Sequence, residues 1–450
     1  MAEPLVKETF ERMDTPAFVQ WCRQAAPYIH AFRGRTFVIA LGGEVVRDGR
    51  FSTLTYDINL LASLGVRLVV VHGARPQIDA RVQEKGLPLD YHKGVRVTDS
   101  VTLECAMQAI GQVRVEIESM LSMAMANSPM ANADIRVSAG NFITAQPMGV
   151  RDGIDLQYTG EVRKVDTTAL NYRLDDGELV LLSTLGYSPT GEIFNLTLED
   201  VATSAAVALK ADKLLFMFGH DGVVDLTGEL LHELTAVEAE QFLATHPEAN
   251  EDIRLYLPCA VRAVRRGVKR AHLINHYLDG ALLMELFTHD GVGTMVSRES
   301  LETLREATID DVGGMLQLIE PLEDAGVLVF RGRELIEREI HRYSVLEHDG
   351  KIVGCVAIHP FADSRMAEMA CLVIHPEYRD EDRGEQLLHH VEQRARSLGM
   401  QQLFALTTRT SHWFVERGFA QASIDDLPIE KMRLYNYQRR SKVFIKSLKG

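Results

Sequence analysis

A chain of 450 residues is longer than one hydrophobic core ordinarily organises, so two or three domains are expected, and 46% apolar residues are enough to fill them. The net charge of -15 excludes the positive footprint that non-specific binding to nucleic acid or anionic lipid needs, so neither nucleic acid nor membrane is expected as a partner. Five scattered cysteines without a CxxC pair fit reduced thiols, and no run is long and apolar enough to span a bilayer, which points to cytoplasmic small-molecule chemistry.

Residues 1–34 carry Phe10, Met13, Phe18, Trp21 and Cys22 at roughly helical spacing and predict an N-terminal helical segment. From Thr36, short apolar runs at Phe37–Leu41, Arg67–Val71, Leu179–Ser183, Lys213–Phe218 and Ala271–Asn275 alternate with helical stretches. That alternation predicts an α/β domain over 35–296, with a mainly parallel sheet covered on both faces. The polar segment 297–305 reads as a linker without strand character. Residues 306–450 open with two helices and continue with strands at Tyr343–Glu347, Ile352–Pro360, Glu368–His375 and Gln402–Thr407. Asp349-Gly350 suits a tight primed turn, so antiparallel pairing and a mixed α/β domain are expected.

In the first domain, Val38-Ile-Ala40-Leu-Gly42-Gly43 and Val70-Val-His72-Gly73-Ala74-Arg75-Pro76 are strand-to-helix turns with small residues where backbone must approach a ligand. With Gly94-Val-Arg96-Val-Thr98-Asp99 and Phe194-Asn195-Leu-Thr-Leu-Glu199, they resemble the amino-acid kinase family, which implies a sandwich around a mainly parallel sheet. Members carry a lysine two residues before the paired glycines and a second in the loop after the strand that here spans Lys213–Phe218. The first position is Ala40, and Gly219–Gly228 contains no lysine. Ala74 and Arg75 stand where small glycines admit the nucleotide. Phosphoryl transfer depends on positioned positive charge, so the resemblance implies a kinase fold that no longer phosphorylates. Arginine-inhibited members bind arginine near the end of this domain. The matching residues are His272, Glu285, Gly291 and Gly293, with Glu285 suited to a guanidinium.

The stretch from Glu368 to Leu388 has the form of a buried strand, a charged turn and the start of an amphipathic helix. A helix N-terminus suits a pyrophosphate through its unpaired N–H groups and positive dipole end. Arg379 and Arg383 add positive charge there, while Asp380, Glu381 and Asp382 oppose it. Acyl transfer to an amine needs a proton acceptor, an oxyanion donor and a proton donor for the leaving thiolate. Glu368 suits the first role through water, a backbone N–H near Cys371 the second, and the hydroxyl of Thr407 or Thr408 the third. Arg331 and Arg333 between two helices, and Arg433, Arg440 and Ser441 within a basic run read as the tail strand, suit a dicarboxylic amino acid.

Arg379 to Gly384 resembles motif A of the GNAT acetyltransferases, with Asp382 in place of the first glycine, and Trp413-Phe-Val-Glu-Arg-Gly418-Phe419 resembles their closing motif. Phe414 occupies the position where many members carry a tyrosine general acid. The resemblance implies acetyl-CoA as cosubstrate, no metal, and coenzyme contacts at Cys371, Val373, Arg379, Arg383, Gly384 and Glu385. A kinase-like domain joined to a GNAT domain, ending in Leu434-Tyr-Asn-Tyr-Gln-Arg-Arg-Ser-Lys-Val443, is similar to the bacterial N-acetylglutamate synthases. That similarity implies acetylation of the α-amine of L-glutamate, the first step of arginine biosynthesis, with feedback inhibition by L-arginine in a cytoplasmic homo-oligomer, expected to be a hexamer. Two alternatives stay open: an active N-acetylglutamate kinase, and a non-catalytic arginine sensor whose Asp382 has abolished coenzyme binding.

Overall fold

The computed structural model describes residues 15–288, 291–379, 382–436 and 439–448. It divides into two units, Met1–Glu299 and Ser300–Gly450. In the first, helix α1 (Thr15–Phe32) runs unbroken through Pro27, while Phe10 and Met13 lie outside the described residues. Strand β1 (Thr36–Leu41) is buried at all six positions. Phe37, Ile39 and Leu41 join one core and Val38 and Ala40 the other, so the continuous apolar run reflects burial on both faces. The same holds for β2 (Arg67–His72), which helix α2 (Arg75–Glu84) follows. Strands β3 (Val137–Ala139), β4 (Leu179–Ser183), β5 (Lys213–Phe218), β6 (Glu233–Thr235), β7 (Arg270–Asn275) and β8 (Thr294–Ser297) complete an eight-stranded sheet in the order β6-β8-β7-β5-β1-β2-β4-β3. Every pairing is parallel except β7 with β8. A second, four-stranded sheet contains Ile143–Pro147, Gly160–Val165, Leu185–Tyr187 and Ile193–Asn195. Helix α3 (Ala281–Phe287) leads into β8.

Gly43 shows why the turn after β1 excludes a side chain. A Cβ there would lie 2.8 Å from the Ala74 Cα and 2.3 Å from the Gln77 Oε1, because the turns after β1 and β2 pack against each other.

The second unit is built on one seven-stranded mixed sheet. Its strands are β9 (Glu302–Glu306), β10 (Tyr343–His348), β11 (Lys351–Phe361), β12 (Met366–Ile374), β13 (Gln402–Thr407), β14 (Ala420–Ala422) and β15 (Lys442–Ser447), in the order β9-β10-β11-β12-β13-β15-β14. Asp349 and Gly350 both have positive φ, 50° and 79°, as the primed turn between β10 and β11 requires. Helices α4 (Val312–Asp324) and α5 (Arg333–Arg338) precede the central strands. Helix α6 (Arg383–Ser397) covers one sheet face with Leu387, Leu388 and Val391, and α4 covers the other with Val312, Met315 and Ile319. Each of these side chains contributes about 1.5–3 kcal/mol by leaving water.

Two expectations need correction. The segment 297–305 is not strandless, because β9 pairs with β10 from Glu302↔His348 to Glu306↔Ser344. Its charges conceal the strand, since it is an edge strand whose Arg305 bonds Asp311 at 2.7 and 2.8 Å and Glu347 at 2.6 and 2.9 Å. The basic tail run is likewise not one strand: Ile429–Arg433 is a helix, α7, and β15 begins only at Lys442.

Arg305 neutralises two carboxylates, one of them on the buried Asp311. Arg305→Met is expected to destabilise the second unit by roughly 2 kcal/mol, less than a fully buried pair because the guanidinium is partly solvated. Urea unfolding read on Trp413 fluorescence, in a chain whose other tryptophan is changed by Trp21→Phe, measures this. An unchanged midpoint would remove Arg305 as the pin of β9.

Candidate active site

Strand β12 pairs in parallel with β13 only from Met366↔Gln402 to Met369↔Ala405. On its other edge, facing β11, the register shifts between Ala357↔Ala370 and Cys355↔Val373, so Cys371 and Leu372 together oppose Val356. This is a β-bulge, and Cys371 takes a left-handed φ of 51° to make it. Ala370 and Cys371, neighbours in the chain, both pack in the α4-side core as a result. A side chain in that region costs on the order of 1 kcal/mol, which the surrounding core must offset. From Ala370 onward β12 has no ladder partner on the β13 side among the described residues, so backbone polar groups border an opening between the strands. Cys371 and Val373 border that opening. The Cys371 thiol is buried, burial raises its pKa, and Arg331 donates to its sulfur at 2.8 Å, so it packs rather than attacks.

Glu368, three residues before the bulge, is 6% exposed and is no solvated strand end. Its Oε2 lies 2.7 Å from the Lys431 Nζ of α7. His359 on β11 stands directly opposite in the ladder, with Arg342 bonded to it at 2.9 Å, and Arg331 is close enough to feel the Glu368 charge. A buried carboxylate thus sits among several cations. The sequence pattern gives no signal for this Lys431 contact, because the segment that carries it has the look of a strand and folds as a helix. The Thr407 hydroxyl accepts from the N–H of Arg409 at 3.3 Å and of Thr410 at 3.1 Å, and shares a hydrogen bond with the Thr410 hydroxyl at 2.9 Å. Through the Thr407↔Lys442 register, Ser441 and Arg440 lie at the same end of β13, Ser441 half-buried and Arg440 exposed. Arg439 bonds the carbonyl of Val327, and the Tyr435 hydroxyl donates to the Ser441 carbonyl at 2.6 Å, which closes the tail over the sheet. Arg331 therefore joins the cluster. Arg333 does not: it is exposed and bonded to Glu337 at 2.7 Å, and Arg433 is exposed on α7.

At the start of α6, Asp382 has φ -55 and ψ 23, so this position does not use the positive φ that favours glycine. A Cβ on Gly384 would lie 3.5 Å from the Trp413 ring, and Gly384 is the second residue of the helix, where an N–H has no intrahelical acceptor. Arg379 is exposed beside it, with Nε 3.4 Å from the Ile374 carbonyl. Arg383 is corrected: its guanidinium is buried, 2.5 Å from Glu302 and stacked 5.2 Å over Tyr378, so it anchors the helix to β9 rather than meeting phosphate. Glu385 is also turned aside, 3.7 Å from Arg417. Asp380 and Glu381 lie outside the described residues. Phe414 is buried against Trp413, Phe419 and Phe444 and has no proton to give.

The first unit retains a cavity of about 460 Å³ bordered by Gly42, Gly43, Arg75, Arg96, Asn195 and Glu199. Arg96 is committed to Asp79 at 2.6 Å and Arg75 stacks on Tyr91 at 4.6 Å. The Glu44 carboxylate lies over Gly42, 2.3 Å from where its Cβ would be. A carboxylate in that turn, with alanine for the lysine beneath it, opposes a transferring phosphate.

The expected regulatory residues do meet. The Glu285 Oε1 accepts from the His272 Nδ1 at 2.6 Å, and its Oε2 accepts from the N–H of Val292 at 2.8 Å and of Gly293 at 2.9 Å. Gly291 is held against the same carboxylate, 2.4 Å from its would-be Cβ to Oε2. Lys213, not anticipated from sequence, donates to the His272 Nε2 at 3.1 Å and lies 5.5 Å from the Phe32 ring of α1. Burial, then the Lys213 charge, lowers the His272 pKa to about 4, so the ring is neutral. Burial alone would raise Glu285, but the His272 bond and the two backbone N–H groups hold it at about 2.

Residues 35–275 match the amino acid kinase family model and residues 285–419 the acetyltransferase (GNAT) family model. The chain is 52% identical over 431 residues to the amino-acid acetyltransferase of Ectopseudomonas mendocina (strain ymp), covering 96% of this chain and 99% of that protein. It is 52% identical over 434 residues to the amino-acid acetyltransferase of Pseudomonas fluorescens (strain SBW25), covering 96% and 100%. Among solved structures it is similar to N-acetylglutamate synthase from Neisseria gonorrhoeae complexed with coenzyme A and L-arginine, with a TM-score of 0.87 and 40% identity over 96% of this chain and 100% of that one. The same enzyme complexed with coenzyme A and N-acetyl-glutamate gives a TM-score of 0.62 at the same identity and coverage.

A histidine held below its ordinary pKa stabilises the fold above that ordinary value, and the contribution is lost as pH falls through the folded one. For His272 the window is from 6.5 down to about 4, and Glu285 adds a second loss from 4.5 down to about 2. Hydrogen exchange of the β7 amides, corrected for intrinsic rate, is therefore expected to accelerate between pH 6.5 and 4. His272→Gln should reduce the slope without abolishing it, because His72, also lowered to about 4 by burial, titrates in the same window. A slope unchanged by that substitution would contradict the assignment.

Proposed function

The chain belongs to the amino-acid acetyltransferase family, and we propose that it transfers the acetyl group of acetyl-CoA to the α-amine of L-glutamate, giving N-acetyl-L-glutamate, under feedback by L-arginine. The observation that carries the reading is the buried Glu368–Lys431 pair placed beside the unpaired bulge at Cys371. Lys431 holds the Glu368 carboxylate in place, so that it takes the proton the amine must lose. The N–H groups of Cys371 to Val373 polarise the thioester carbonyl, and the Thr407 hydroxyl protonates the departing thiolate. The start of α6 with Arg379 and Gly384 holds the pyrophosphate. Arg331, Arg440 and Ser441 bind the two carboxylates of the amino acid, which suits a site lined by cations.

The kinase-like unit serves regulation in this reading. Arginine binds against Lys213, His272, Glu285 and the Gly291–Gly293 loop, where Glu285 fixes the loop that contacts the ligand. Assembly as a hexamer and a cytoplasmic location follow from the family resemblance. Kinase activity is disfavoured by Ala40 and by Glu44 in the glycine turn.

Thiol release from acetyl-CoA with a panel of amino acids, with and without arginine, tests the reading. Glutamate should be the preferred acceptor, and an enzyme equally active with apolar amino acids would overturn the proposal. Glu368→Gln is expected to lower kcat by about 10²–10³-fold with little change in the KM for acetyl-CoA, since it removes proton acceptance rather than binding. Glu285→Ala should raise the arginine concentration needed for half-inhibition by about 10-fold or more. Full inhibition of that variant would exclude the cluster as the regulatory site.

A further inference from the structure

We propose that His359 is a positioning residue of the transfer reaction: fixed as its Nε2–H tautomer, it donates a hydrogen bond to the water that carries the proton from the substrate amine to Glu368. The inference deepens the functional reading above and rests on it.

The tautomer follows from one contact. Arg342 bonds the His359 Nδ1 at 2.9 Å, and a guanidinium only donates, so Nδ1 must be the acceptor and the neutral ring carries its proton on Nε2. Arg342 is itself held by Glu339 at 3.2 Å, which keeps the guanidinium in place. Burial and the neighbouring cations together outweigh the nearby carboxylates and keep the ring neutral. Burial, then the charges of Arg342, Arg331, Lys431 and His341, lower the ring's pKa to about 4, while the Glu339 and Glu368 carboxylates face it from the strand-preceding turn and from β12. A ring protonated only at Nε2 is a donor and no base.

What it faces gives the role. His359 and Glu368 are directly opposed across the β11–β12 ladder, so their side chains leave the same sheet face with Cβ atoms about 5 Å apart. The Glu368 Oε2 is taken by Lys431 at 2.7 Å. A water between the amine and this carboxylate receives a proton from the ammonium as it passes one of its own to Glu368. Its remaining lone pair is the one the Nε2–H can hold. His359 keeps its proton throughout, and the step balances without it.

The test combines kinetics with a direct reading of the ring. In 15N-labelled full-length enzyme, the His359 Nδ1 should remain unprotonated and Nε2 protonated from pH 5 to 8; a protonated Nδ1 would overturn the inference. His359→Leu should lower kcat by about 10–100-fold with the KM for glutamate changed less than about 3-fold, and His359→Gln, which restores a donor near Nε2, should recover most of the loss. Loss confined to KM, equal impairment in both variants, or no impairment in either would each contradict it. A wild-type chain inactive with every amino acid would instead sink the functional reading, and this inference with it.

Discussion

The left-handed backbone at Cys371 ends the pairing of two central strands, and the chemistry of the last third of the chain is arranged around the opening that results. A paired β12 would bury its N–H groups in a ladder with β13 and leave nothing to polarise a carbonyl. The conformation is unfavourable for a residue with a Cβ and persists because the neighbouring packing over-determines it. Cys371 is fixed by the core under α4 on one side and by Arg331 on its sulfur on the other. The same Arg331 is a candidate for the substrate carboxylate, so the element that stabilises the bulge also links it to substrate binding.

Charge is handled differently in the two units. In the second, the buried Glu368 carboxylate pairs with Lys431, and Arg331 lies close enough to feel its charge. In the first, each buried charge near the expected regulatory loop has a partner: Lys213 to His272, His272 to Glu285, and Glu285 to the backbone of Val292 and Gly293. A chain of this kind is bistable in principle, since a ligand cation that competes for Glu285 must release the loop or the imidazole. The cavity of the same unit has its glycine turn filled by the protein's own Glu44 carboxylate. These features fit a kinase fold turned to sensing.

Much of the fold was legible because buried strands in this chain are continuous apolar runs. Leu179–Ser183, Lys213–Phe218 and Gln402–Thr407 coincide with strands at both ends. Where a strand carries charge, as Glu302–Glu306 does, composition hides it, since the pairing of Arg305 with Asp311 and Glu347 is tertiary. The basic aromatic tail misled in the opposite direction, and α7 forms there with Lys431 drawn to a carboxylate 63 residues earlier in the chain, at Glu368. For the site, residue type pointed to Glu368 and Thr407, which lie within β12 and at the end of β13. It could not show that Arg383 is spent on Glu302, 81 residues away, or that His359 is locked by Arg342. Side chains of one type are interchangeable in sequence and are distinguished only by their partners.

The location of the chemistry is most directly tested by amide hydrogen exchange of the intact chain with and without acetyl-CoA. Cys371, Leu372, Val373 and Gly384 should become protected on binding, with no change at the Gly42–Gly43 turn. Protection confined to that turn and the cavity beside it, with the bulge unaffected, would contradict a transfer site built on the opening between β12 and β13.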